Sequence, residues 1–445
     1  MKVLLVSTYE LGHQPLHLAA PAAALRSAGH DVRTLDTSVE PWTREPVDWA
    51  EAVAFSVPMH TAMRLALRAA AAVRAARPEL PICLYGLYAT VSRHLTLGPA
   101  GLADHAIAGE YEEGLVAWAG GLTSASQAVI DLGRRRPAAV PARDGLPPLE
   151  RYAHLALGGE ERPVGYVEAS HGCVHRCGHC PIPVVYDGRI RIVPEDVVLA
   201  DIEALVAAGA RHITFGDPDF LNGPHHSRRV VAAMHERWPD LTFDCTVKVE
   251  HILRHRELWG EFETGGCLFV VSAFETVNNE TLERLDKGHT TADAAAAVAL
   301  LRDHSIEIRP SFLPFTPWTT LDEIADIVDF VAAMDLVPNV DPVQFTIRLL
   351  VPEGSLLVST LAAEGRLGRY DTERLTWTWS SDDPAVDELQ TRLGALVEGA
   401  QTAGEPIGQI YERVRAAVHS AAGRHSEPVS YGHEGRPRLT EPWFC

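Results

Sequence analysis

The chain has 445 residues, 46% of them hydrophobic, and a formal net charge of −20. That length exceeds one ordinary core, so two or three domains are expected, and the acidic balance argues against nucleic acid as an obligate partner. No apolar run approaches membrane-spanning length, the strand pattern starts at Lys2 with no room for a targeting peptide, and seven cysteines, an odd number, fit a cytoplasmic enzyme better than a disulfide scaffold.

Residues 1–120 alternate short apolar strands (3–7, 31–35, 52–57, 81–85 and 105–108) with Ala/Leu-rich helices such as 61–76. Alternation at this pitch implies right-handed crossovers and an α/β, doubly wound, flavodoxin-like parallel sheet. Ligands of such sheets bind beyond the carboxyl ends of the strands. There the sequence places Tyr9, His13, Ser56, Gly86, Tyr88, Gly109 and Glu110. The opening strand, Ala28-Gly-His-Asp-Val32 and Ala108-Gly-Glu-Tyr-Glu-Glu113 resemble the cobalamin-binding domain that often precedes a radical S-adenosylmethionine (SAM) core. The resemblance implies cobalamin over these strand ends, where glycine lets backbone approach a flat macrocycle. The Asp-x-His-x-x-Gly motif that supplies a lower-face histidine elsewhere is absent. Cobalt is then unligated from below, or takes His13 or His60. A ligand-free domain that positions a partner or substrate is the alternative.

Residues 121–160 carry Arg134-Arg-Arg-Pro and Leu146-Pro-Pro without any apolar period, and read as a solvated Pro/Arg-rich linker. After the strand-like stretch 164–168 comes Cys173-Val-His-Arg-Cys177-Gly-His-Cys180. Three thiolates can hold three irons of a [4Fe–4S] cluster and leave the fourth open. A zinc site completed by His175 or His179 is the alternative. The C-x3-C-x2-C spacing resembles the signature of the radical SAM superfamily. That resemblance implies SAM on the open iron and its one-electron cleavage to a 5′-deoxyadenosyl radical. It also implies a small-molecule substrate and a reductant such as ferredoxin or flavodoxin. The family usually has an aromatic residue before the third cysteine; His179 stands there, a planar ring able to lie by adenine.

Residues 161–355 repeat strand-then-helix units, with strands at 165–169, 212–215, 242–246, 267–273, 307–312 and 343–350. Six units suit the partial (β/α)6 TIM-type barrel of the radical SAM core, with its site at the carboxyl ends of the strands. The resemblance places Gly216, Asp217 and Asp219 at the SAM amino group, and Ser272 and Glu275 at the ribose, with Arg309 as a further cofactor contact. Asp217 and Asp219 are equally placed to cap a helix, and Glu275 to be a solvated loop acid. Lys287-Gly-His-Thr-Thr291 enters the same side, where Thr290 or Thr291 is also a natural N-cap. His225, His226 and His251 show no carboxylate–histidine spacing and are not assigned to a metal.

Residues 356–445 read as a small helical region, with helices at 386–398 and 407–422 and a tail ending Trp443-Phe-Cys445. The whole chain resembles the radical SAM group named for a Cys-Cys-Ala-Glu-Pro or selenocysteine-containing tail. The likeness rests on Phe215-Gly-Asp-Pro-Asp-Phe-Leu-Asn-Gly223, Lys248-Val-Glu-His251, Lys287-Gly-His-Thr290 and Pro314-Phe-Thr-Pro-Trp318. It implies a reactive Cys445 and an extension past a UGA codon; an ordinary terminal cysteine is the alternative. The expected reaction is cobalamin-dependent methyl or one-carbon transfer to an unactivated centre. The alternatives are adenosyl- or alkyl-radical chemistry without cobalamin, including carbon–arsenic bond formation, and a non-catalytic iron–sulfur sensor or electron carrier.

Overall fold

The computed structural model describes residues 1–91, 93–97, 101–121, 127–133, 139–432 and 435–441. The arginine run 134–136 and the tail end 442–445, with Cys445, lie outside the described residues. Val3–Val6 and Ala52–Phe55 are buried on both faces, as strands covered by helices on both sides must be. β1 (Lys2–Ser7), β2 (Asp31–Asp36), β3 (Ala52–Ser56), β4 (Ile82–Tyr85), β5 (His105–Gly109) and β6 (Gln127–Asp131) form a parallel sheet in the order β2-β1-β3-β4-β5-β6. β6 departs from expectation, since it falls in the stretch read as linker. It is an edge strand whose Val129 and Ile130 are exposed while, among its described residues, only Ala128 packs on the core, too little burial to impose a pattern on its sequence.

Where β5 ends, Gly109 has φ +89 and the Glu110 N–H donates to the Asp131 carbonyl at 2.7 Å. A β-carbon on Gly109 would overlap that same carbonyl oxygen. Gly109→Ala is therefore expected to lose about 2 kcal/mol, from left-handed strain compounded by the clash. Chemical denaturation measures it, and a midpoint equal to the parent's would refute the assignment.

β7 (His154–Leu157), which falls in the stretch read as linker, pairs as an antiparallel hairpin with β8 (Glu160–Val167), the first strand of the barrel. β9 (Ser170–Gly172) and β10 (Ile190–Ile192) form a small antiparallel pair. β11 (His212–Phe215), β12 (Thr242–Thr246), β13 (Cys267–Glu275) and β14 (Glu307–Phe312) run parallel to β8, giving the half-barrel order β14-β13-β12-β11-β8. Its core is aromatic: Phe215, Phe220, Phe243 and Phe262 lie ring to ring. The sixth strand expected at 343–350 is instead a 3-10 helix, Pro342–Thr346, followed by a single parallel bridge between Phe315 and Arg348. Pro342 has no N–H to give a ladder. The Gln344 side chain accepts the Phe312 N–H at 3.0 Å, in the place where a strand carbonyl would stand.

Helices Pro384–Thr402 and Ile407–Ala421 close the C-terminal side of the barrel, with the Tyr411 hydroxyl donating to the Val328 carbonyl at 2.7 Å. This region is not wholly helical. β15 (Leu367–Asp371) and β16 (Thr376–Trp379) form a hairpin whose turn places buried Leu375 in the apolar core of the first sheet. β17 (Arg438–Leu439) adds to the free edge of β7. Arg143 joins the parts: its guanidinium grips Asp201 at 2.6 and 2.8 Å, the Tyr166 carbonyl at 2.7 Å and the Gln14 side chain at 2.9 Å.

Candidate active site

The pairing of β9 with β10 pinches residues 173–189 into a loop at the carboxyl end of β8. The Gly178 N–H docks this loop on the Leu285 carbonyl at 2.9 Å. Asn222 steadies its start, accepting from the Val174 N–H at 3.2 Å and donating to the Gly172 carbonyl at 3.3 Å. Cys177 is buried, and Cys173 and Cys180 are half-buried. Burial, with a smaller push from the neighbouring thiols, raises the Cys173 thiol to about 11 and the Cys180 thiol to about 12. Metal binding to such thiols must release protons.

Neither histidine of the loop completes a zinc site with these thiols. His179 Nε2 lies 3.0 Å from Glu275 Oε1, and the His175 ring faces His251 at 4.5 Å between centroids. The other described cysteines, Cys83, Cys245 and Cys267, are buried in strands of the two sheets. The donor set is three thiolates, which fits a cluster with one open iron.

Beside the loop, Glu275 ends β13 at φ +62, next to a register shift. A non-glycine residue held there is strained, and such strain concentrates at ligand sites. Lys287 Nζ meets Glu275 Oε1 at 2.9 Å. Burial pushes the Glu275 carboxyl up, but Lys287 and His179 outweigh burial and hold it well below the usual carboxylate range. Burial alone would lower the Lys287 ammonium; Glu275 and the thiols of Cys177 and Cys180 raise it instead. Near this pair the Ser272 hydroxyl is buried without a partner among the described residues, as are both ring nitrogens of His289. Burial also draws His289 down to about 4, so its ring is neutral. Unmatched buried polar atoms at strand ends are what a polar ligand would satisfy, and SAM fits them.

The other expected SAM residues make contacts within the protein. Asp217 accepts from the Ala169 N–H at 2.9 Å and from the Ser170 hydroxyl at 2.6 Å, fixing the approach to the cluster loop. Asp219 Oδ1 caps the Leu221 N–H at 3.0 Å. Gly216 leaves space for the Tyr166 ring, which a β-carbon would strike. Arg309 is held by Asp341 at 3.1 Å and by the Pro437 carbonyl at 3.4 Å, so it secures the tail.

On the first domain, Ser7, Ser56, Gly86 and Gly109 end adjoining strands. The Ser7 hydroxyl is buried and unpartnered among the described residues, and Gly86 is left-handed at φ +113. This row of small residues fits the approach of a large flat group. His13 is not among them: its ring packs on Tyr166 of β8 at 4.8 Å, and burial pulls it down to about 4. His60 is held by the Arg374 carbonyl at 2.7 Å, its ring beside Tyr88. Tyr9 donates to Glu441 at 3.0 Å.

Glu110 crosses to the barrel, accepting from His171 Nδ1 at 3.0 Å and the Tyr186 hydroxyl at 2.8 Å. His171 Nε2 lies 3.2 Å from Glu168, which also accepts from the Tyr166 hydroxyl at 3.0 Å. Burial would lower His171, but Glu110 and Glu168 raise it to about 10. Glu168, raised by burial against the pull of His171, stands at about 7. Sequence reasoning missed this network and the pairing of Lys287 with Glu275. The position of Glu168 at a strand end and the Lys-Gly-His-Thr motif were the available signals. A cleft between the domains is lined by Leu87, Thr90 and Val91 on one side and by His179, Cys180 and Val184 on the other.

A family model for the radical SAM superfamily matches residues 167–331, and one for the B12 binding domain matches residues 2–119. The hopanoid C-3 methylase of Methylococcus capsulatus is 22% identical over 324 residues, covering 68% of this chain and 62% of that protein. The chain thus spans less than two thirds of that relative. The anaerobic magnesium-protoporphyrin IX monomethyl ester cyclase of Synechocystis sp. is 23% identical over 384 residues, covering 80% of this chain and 74% of that protein. Among solved structures, the radical enzyme OxsB with aqua-cobalamin and SAM bound has a TM-score of 0.67 at 13% identity, covering 90% of this chain and 67% of that one. The methyltransferase TsrM from Kitasatospora setae, with cobalamin and a [4Fe–4S] cluster bound, has a TM-score of 0.57 at 18% identity, covering 75% of this chain and 73% of that one. Both likenesses are of fold. No helix among the described residues is long and apolar enough to cross a membrane.

Proposed function

Since this chain joins a B12-binding domain to a radical SAM domain, we propose that it is an enzyme of cobalamin-dependent methyl or one-carbon transfer to an unactivated carbon of a small molecule. The observation that carries the reading is the juxtaposition of the two domains, the loop after β4 lying against the cluster loop at Cys180. Cys173, Cys177 and Cys180 would hold the [4Fe–4S] cluster, the Ser272–Glu275 strand end and His289 would hold SAM, and the Ser7, Ser56, Gly86 and Gly109 strand ends would receive cobalamin. When bound, these groups supply an electron, a methyl donor and a methyl carrier. The chain's own residues do the positioning. Lys287 neutralises charge beside the thiolates, His179 and Lys287 fix the Glu275 carboxylate, and the Glu110–His171–Glu168 chain ties the two domains together across the cleft. A ferredoxin or flavodoxin is the reductant class this chemistry requires.

The full chain, purified anaerobically and mixed with hydroxocobalamin, is expected to retain about one cobalt through gel filtration. With reductant and SAM it should then yield S-adenosylhomocysteine as well as 5′-deoxyadenosine. Retention of no cobalamin, with deoxyadenosine as the sole SAM product, removes methyl transfer through cobalt and leaves adenosyl-radical chemistry. An absence of any SAM turnover in iron-replete protein would favour the sensor or electron-carrier reading.

A further inference from the structure

We propose that His175, Asp219 and His251 form a second metal site, for a divalent first-row cation such as Zn2+, beside the cluster loop. One potential ligand atom from each residue lies within 4.8 Å of the other two. His251 Nδ1 is 2.8 Å and His175 Nε2 is 3.7 Å from the same oxygen, Asp219 Oδ2. The three residues come from separate elements: the loop between the cluster cysteines, the turn after β11, and the short helix Val249–Arg254. Nothing in their sequence spacing announces them.

Asp219 and His251 are almost wholly buried. Yet Asp219 Oδ2, His251 Nδ1 and His175 Nε2 each lack a hydrogen bond of acceptable geometry. A plain Asp219–His251 hydrogen bond would leave neither of its two atoms orphaned. Three converging orphans in one buried place call for a shared partner, and an ion is one of the few that satisfies all of them. Two imidazoles and one carboxylate with a further position open are a donor set that zinc and its neighbours accept. His175 is only partly buried, so the triad lies close under the surface.

A carboxylate and an ammonium both face the outer nitrogen of His175. Glu250 Oε2 is 3.7 Å from His175 Nδ1 and can orient that ring, as carboxylates do behind ligating histidines. Lys248 Nζ, 3.1 Å from the same nitrogen, has Glu250 at 3.4 Å as its other partner. The two carboxylate oxygens of Asp219 are already divided: Oδ1 caps the Leu221 N–H, leaving Oδ2 for the cation. An ion here would pin the cluster loop to two turns of the barrel. The proposal stands apart from the methyl-transfer reading, since it concerns neither SAM nor cobalamin.

The test uses the full chain with its iron reconstituted anaerobically, so that the cysteine thiolates are occupied. After incubation with Zn2+ and desalting, the parent should carry about one zinc beside about four irons. His251→Gln and Asp219→Asn should each lose that zinc while keeping their iron. His225→Ala, at an exposed neighbouring histidine, should retain both metals. His251→Cys, which substitutes a thiolate ligand, should recover zinc. No zinc on the parent, zinc retained by either ligand variant, or loss of zinc and iron together would each overturn the proposal.

Discussion

Cys177→Ala protein, reconstituted anaerobically, is expected to lose most of the roughly four irons that the parent binds, and with them all reductive cleavage of SAM. Cys177 is the buried middle thiol of the three. Its removal leaves two sulfurs for a cluster that needs three, and turns the Lys287 ammonium toward a methyl group where a thiolate stood. The half-buried thiols of Cys173 and Cys180 are held high when no metal is present, so the remaining pair has little tendency to ionise alone. Iron assay and 5′-deoxyadenosine release measure the two effects. Parent protein that carries zinc in place of iron at these thiols would end the radical reading.

Lys287→Met is expected to destabilise the fold by about 3–5 kcal/mol, the range for removing one member of a buried ion pair. Lys287 and Glu275 are both buried, and their contact is 2.9 Å. Methionine fills much of the volume but leaves the Glu275 carboxylate with His179 alone, at a position already strained by its positive φ. The Lys287→Met, Glu275→Gln double variant should recover part of the loss, because it removes the unpaired charge as well. Urea denaturation of the four proteins closes the cycle. A single variant as stable as the parent would show that the pair does not hold this corner of the barrel.

The residues that were legible beforehand are those whose environment leaves a local mark. β1, β3 and β4 are buried on both faces and show it as unbroken apolar runs. The cluster loop announces itself by spacing, since three thiolates must lie on one short segment. β6 left no such mark because it is an edge strand with Val129 and Ile130 exposed, and the 343–350 stretch, though apolar enough for a strand, turns at Pro342 and contributes one side chain and a single bridge in place of a ladder. Polar roles were legible only in part. Asp217 and Asp219 could be placed at the right strand end, but only the folded chain shows them engaged by Ala169, Ser170 and Leu221. His13 was placed at the end of the first strand, and the fold carries its ring onto the neighbouring domain. Networks such as Glu110–His171–Glu168 join residues far apart in the chain, and no periodicity can encode them.

Leu375 gives the architecture a hereditary constraint. This leucine sits at the tip of the β15–β16 hairpin, in a left-handed conformation at φ +53, yet it is part of the hydrophobic core under β3 and β4. The N-terminal domain is therefore completed by a segment encoded more than two hundred codons downstream. Cut out as a cassette, it would keep a leucine-sized hole, a defect of about 2–5 kcal/mol. Recombination that exchanges this domain between homologues must bring the hairpin along or repair the hole, so the two halves of the gene are bound to evolve as a matched pair.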